Sequence, residues 1–133
     1  MPALERIQCT RIVAQPAALD RGEWPPETIQ LRTAPDELLL IPPITPELDD
    51  PHAIVVTDAG WAGLWLDAAA AADLLADHIL WPLPAARPEF AQGAIADIPA
   101  KLWLTGQQWL LLVPAAYADD FAARTGLIVG ESV

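Results

Sequence analysis

The sequence predicts an α+β domain, a mainly antiparallel sheet of hairpins and a meander covered by two helices. Three observations predict it. Short β-branched or leucine-rich runs recur between turn residues, two alanine-rich or amphipathic stretches have helical character, and 14 prolines cut the chain into brief elements. At 133 residues the chain matches a single core, so residues 1–133 are expected to form one domain.

Taken in order, Ile7 to Val13 alternate loosely as an opening strand, and Pro16, Gly22, Pro25 and Pro26 mark a loop. Thr28 to Arg32 and Leu38 to Ile41 form the first expected hairpin, around a type I turn at residues 34–37. Pro42, Pro43, Pro46 and Pro51, with Asp49 and Asp50, make a stiff internal connection at about residues 42–52. Ala53 to Thr57 and Trp61 to Leu66 read as a second hairpin turning at Asp58-Ala59-Gly60. Asp67 stands as N-cap of a helix ending near Ile79, whose Ala71, Leu74, Leu75 and His78 face the sheet. After a proline-broken loop, Ala94 to Ile98, Lys101 to Leu104 and Trp109 to Val113 form a meander. Pro114 opens a second helix carrying Tyr117, Phe121 and Thr125 on one face, and Gly126 takes its left-handed cap. Leu127 to Val129 add an edge strand, and the last residues fray.

Composition excludes several classes of function. Eighteen acidic against seven basic residues give a formal charge of −11, which repels phosphate backbones and anionic lipid surfaces. Lys101 is the only lysine, and six scattered arginines assemble no basic stripe. The first ten residues carry Glu5 and Arg6 where a secretory signal needs an apolar run, and no stretch reaches membrane-spanning length, so a cytoplasmic location is expected. Cys9 is alone, and His52 and His78 do not complete a zinc site with it.

No catalytic constellation emerges. Asp58 suits a turn, Asp67 a cap, and His78 an apolar helix face. His52 falls in a solvated loop, and Cys9 reads as a small buried hydrophobe. Asp49-Asp50 and Asp119-Asp120 are adjacent carboxylates, with nothing to hold the members of either pair in different environments. Six tryptophans are the unusual feature, since so small a domain has little room to bury them all. Trp61, Trp65, Trp81, Trp103 and Trp109 are the binding candidates, with Arg87 and Lys101 as nearby cations for an anionic ligand group.

Several phrases, in order, carry a family resemblance: Val56-Thr57-Asp58-Ala59-Gly60-Trp61 before Leu64-Trp65-Leu66, Ala72-Asp73-Leu74-Leu75-Ala76, Phe90-Ala91-Gln92-Gly93, and Trp109 to Pro114 before Tyr117-Ala118. Covering about half of the chain, they resemble the folate-binding domain of aminomethyltransferase (glycine cleavage T-protein)-like proteins, most closely the gamma subunit of heterotetrameric sarcosine oxidase. The resemblance implies a sheet covered by two helices, with tetrahydrofolate as the ligand. Members that act on folate place an aspartate shortly after the first helix, whereas no carboxylate lies here between Asp77 and Glu89. That departure favours a non-catalytic accessory or interaction module that meets a protein partner, or itself, through an apolar tryptophan-bearing face. The alternative is a folate-type small-ligand binder or a folate-dependent one-carbon transferase.

Overall fold

A computed structural model describes residues 2–133 and shows an α+β fold with a mainly antiparallel sheet. The chain divides into two compact units, one of Gln8–Ala59 and one made of the stretch up to Ile7 together with Gly60–Val133. Strands β1 (Ala3–Val13) and β4 (Ile54–Asp67) each run from one unit into the other. The proline-rich connection lies inside the smaller unit.

In the smaller unit, β2 (Ile29–Ala34) and β3 (Glu37–Ile41) form the expected hairpin, with Ala34 facing Glu37 across Pro35-Asp36. β3 pairs antiparallel with β1, from Thr10 opposite Leu40 to Val13 opposite Glu37. Ile12, Ala14, Leu19, Leu38 and Leu40 fill the core beneath. The segment expected as loop contains a short helix, α1 (Pro16–Asp20), because Pro16 takes a first-turn position that needs no N–H and Ala18 and Leu19 gain burial. The proline-rich connection is tied down through side chains. Thr10 Oγ1 donates to the Ile44 carbonyl at 2.8 Å and accepts from Ile44 N–H at 2.9 Å. Asp50 accepts from the amides of Gln15 and His52 at 2.9 and 2.8 Å, and those bonds hold its carboxyl below the usual range.

The second expected hairpin is absent. Residues 58–60 do not turn, and β4 continues straight through them. A tight hairpin needs left-handed residues at its corner, and among the described residues positive φ occurs only at Ala96, Asp97 and Gly126. Trp61 to Asp67 pair instead with a strand nearly fifty residues later, β7 (Gln108–Pro114).

In the larger unit, β7 pairs with β6 (Ile98–Leu104) and β6 with β5 (Glu89–Ile95), which completes the meander. The strand expected over Ala94 to Ile98 folds back on itself, with Ile95 opposite Ile98 and a left-handed corner at Ala96 and Asp97, φ 51° and 65°. The corner is pinned from outside the hairpin. Ala96 N–H donates to the His78 carbonyl at 2.8 Å, and Arg124 donates to the Ala96 carbonyl at 2.9 Å. An alanine with positive φ is strained, so Ala96→Gly is expected to raise stability by up to about 1 kcal/mol, read from the urea midpoint.

Helix α2 (Ala68–Ala76) begins after Asp67, whose side chain makes no capping bond; Ala68 N–H donates instead to the Gln107 carbonyl at 2.9 Å. The helix stops at Asp77, short of Ile79, where the His78 carbonyl is drawn to the Ala96 corner. Pro114 leads into a short 3₁₀ turn at Ala115–Tyr117, and α3 (Ala118–Thr125) follows, ending at Gly126 with φ 79° as expected. Ala71 and Leu75 of α2 and Ala118, Phe121 and Ala122 of α3 pack with Ala62, Leu64, Leu102, Leu104 and Leu111 on one face of the sheet. β8 (Ile128–Val129) runs parallel to β1. The tail does not fray: Gly130 N–H donates to the Leu4 carbonyl at 2.7 Å, and Ser132 Oγ joins Glu5 and accepts from Arg6 N–H.

Candidate interaction surfaces

Alternation along the strands sorts the tryptophans of the larger unit by face. Ala62, Leu64, Leu102 and Leu104 lie in the helix-covered core, so Trp61 and Trp65 on β4 and Lys101 and Trp103 on β6 belong to the opposite face. There the register places Trp65 opposite Leu110, Leu110 opposite Trp103, and Trp103 opposite Phe90, a cross-strand apolar row. Trp65 is 40% exposed, while Leu110 is buried.

The only lysine completes this face. Lys101 Nζ lies 5.1 Å from the centre of the Trp61 ring and donates to Gln92 Oε1 at 2.9 Å. Trp61, Gln92, Gly93, Pro99 and Lys101 line a shallow cleft of about 310 Å³. The Trp61 indole N–H is buried without a hydrogen-bond partner, an uncommon state for a buried donor.

The structure separates the remaining candidates from that face. Trp109 is buried in the helix-side core, where its N–H donates to the Thr105 carbonyl at 3.1 Å and the Arg87 guanidinium lies 5.3 Å from its ring centre. Arg87 also donates to the carbonyls of Pro84 and Ala86, so its charge serves the proline-rich loop. Trp81 packs against the same core, lies over Gly93, and donates to the Ala94 carbonyl at 2.8 Å. Trp61, Trp65, Lys101 and Trp103 therefore share one face, whereas Trp81, Arg87 and Trp109 lie away from it.

The smaller unit holds a surface that tryptophan counting misses. Ile54, Val55 and Val56, at the start of β4, are 56%, 43% and 42% exposed. A strand covered on one face buries every second residue, so three consecutive exposed positions mean that both faces of this stretch are open. Pairing of β4 with β7 stops at Trp61 opposite Pro114. The signal in the sequence is the uncharged run Ala53 to Thr57, which carries none of the usual edge protection by lysine, proline or a charge.

Asp120 pairs with Arg124 one turn along α3. Cys9 is buried, and desolvation first and the Asp58 carboxylate second push its thiol up to about 12, against a smaller opposing pull from Arg11. A raised thiol pKa favours folding below the unfolded value of 9.0, and that contribution is lost as pH rises from about 9 towards 12. Cys9→Ala is therefore expected to show a smaller stability drop than wild type between pH 8 and pH 11, measured by urea unfolding at each pH. Among the described residues no three His, Cys, Asp or Glu side chains gather in a metal-binding group, and no helix is long and apolar enough to cross a membrane. No family model, curated protein or solved structure matches the chain.

Proposed function

We propose that this chain is a non-catalytic interaction module that engages a protein partner by strand addition along the start of β4. The observation that carries it is the exposure of Ile54, Val55 and Val56 on both faces of one uncharged strand segment. β4 lies between β1 and β7 in the sheet, and its register with β7 covers only Trp61 to Asp67; on that side the start of β4 offers backbone donors and acceptors to an incoming strand, and exposed β-branched side chains supply the apolar contact that holds it. A charge of −11 disfavours nucleic acid as that partner.

The test begins with co-purification on the tagged chain, followed by reconstitution of any bound protein in pure form. Val55→Lys places a charge in the middle of the edge, and is expected to weaken the reconstituted complex at least about tenfold. A partner held equally by wild type and variant overturns the proposal.

A second reading is favoured by the partnerless Trp61 N–H beside Lys101: a small ligand bound in the 310 Å³ cleft. Tetrahydrofolate, the ligand implied by the family resemblance, is the first probe. Tryptophan fluorescence that tetrahydrofolate leaves unchanged removes folate from this reading.

A further inference from the structure

We infer that the segment added along the start of β4 belongs to a partner of opposite charge: an extended apolar run whose C-terminal end carries an arginine or lysine, seated in an acidic cleft beside Ile54. This inference rests on the proposed strand-addition reading and names the chemistry of its occupant.

The cleft and the open strand meet at one residue. Val13, Ala14, Pro16, Asp36, Asp50 and Ile54 are among the residues that line an open cleft of about 350 Å³. Ile54 is also the most exposed member of the run Ile54 to Val56. β7 pairs antiparallel with β4 as far as Trp61. A segment that continues along the same edge in the same sense brings its C-terminal end to Ile54, and so to the cleft.

The lining is divided as a long cationic side chain requires. Such a side chain lays its methylene stem on apolar surface and carries its charge at the tip. Val13, Ala14, Pro16 and Ile54 offer the apolar surface, and Asp36 and Asp50 offer the counter-charge, with no arginine or lysine in the lining. Both carboxylates are anchored through the backbone around them. Ala14 N–H donates to the Asp36 carbonyl at 3.0 Å, which ties the β2–β3 turn to the end of β1 and leaves Asp36 exposed. Asp50 accepts the Gln15 amide on Oδ2 and the His52 amide on Oδ1. A carboxylate has about four acceptor positions, so each oxygen keeps room for a cationic donor.

The charge of the surrounding unit selects the same partner. Gln8–Ala59 carries nine carboxylates against three arginines, a formal −6. Each arginine is already engaged by a carboxylate, Arg11 by Glu37, Arg21 by Asp49 and Arg32 by Asp20, and none of the three lines the cleft. An acidic segment is repelled from this edge, whereas a basic one is drawn to it.

Fluorescence anisotropy with the full chain, at low salt and about pH 8, tests this with two labelled peptides of about nine residues. Both alternate valine and threonine; one ends in two arginines and the other in two glutamates. The arginine peptide is expected to bind with Kd on the order of 100 µM, and the glutamate peptide at least about tenfold more weakly. N-methylation of the central residues of the arginine peptide removes its ladder donors without changing its charge, and is expected to abolish binding. Asp36→Lys is expected to reverse the preference, strengthening the glutamate peptide while weakening the arginine peptide, which a loss of fold does not produce. Equal binding of the two peptides, lost on N-methylation, overturns the cationic end and leaves strand addition standing. An arginine preference that Asp36→Lys does not move overturns the cleft as its seat. Binding that survives N-methylation, or no binding of either peptide at about 1 mM, overturns strand addition itself.

Discussion

Replacing Phe121 with alanine is expected to lower stability by about 3–5 kcal/mol, the usual cost of emptying a fully buried aromatic site. Phe121 has no exposed surface and lies where α3 meets the sheet, among Leu4, Ala62, Leu64 and Val113. α3 spans only eight residues and has acidic Asp119 and Asp120 in its first turn and Arg124 in its last. Those charges match the helix dipole, but such end effects are worth only a few tenths of a kcal/mol to about 1. A helix this short is marginal in isolation, so its docking depends mainly on Phe121. Urea unfolding followed by circular dichroism measures the loss, and a midpoint close to wild type would show that α3 is held by other contacts.

Gly63→Val is the second large effect, expected at about 3 kcal/mol through overpacking. A Cβ at position 63 would lie 2.6 Å from the Leu111 carbonyl oxygen and 2.6 Å from Leu112 Cδ2, with Ile7 Cγ1 at 3.2 Å. The first of these is backbone, in the very β7 strand that pairs with β4. Relief requires the two strands to part, since no rotamer change moves a carbonyl oxygen. The same urea series tests this, and Gly63→Ala is expected to fall between wild type and valine.

The elements legible in the sequence were those whose signals are local. The hairpin at Pro35-Asp36, the β6–β7 hairpin and the Gly126 cap follow from turn chemistry and short-range pattern. The failures share a cause. Asp58-Ala59-Gly60 has good turn composition, yet Trp61 to Asp67 find their partner in β7, and long-range pairing outweighs local preference. Conversely, Ala96-Asp97 lacks the glycine that announces a left-handed corner, and is held there by His78 and Arg124, residues distant in sequence. The tryptophans were legible as unusual, but not their faces: Trp81 and Trp109 are separated from Trp61 and Trp65 by a register that only the pairing of β4 with β7 defines. The apolar run at Ile54 to Val56 was visible as a strand, while its exposure depends on where β7 ends.

The parallel pairing of Ala3 with Ile128 and of Leu4 with Val129 has a consequence in time. During synthesis the first strand is made long before this neighbour, so Leu4, fully buried in the final core, waits for Ile128 and Val129 before that edge can close. Segments within Gln8–Ala59 have their partners close behind them, whereas the larger unit closes only once β8 has been made. Closing so long a loop costs more chain entropy than any local pairing in the fold, which places this contact late in the order of assembly.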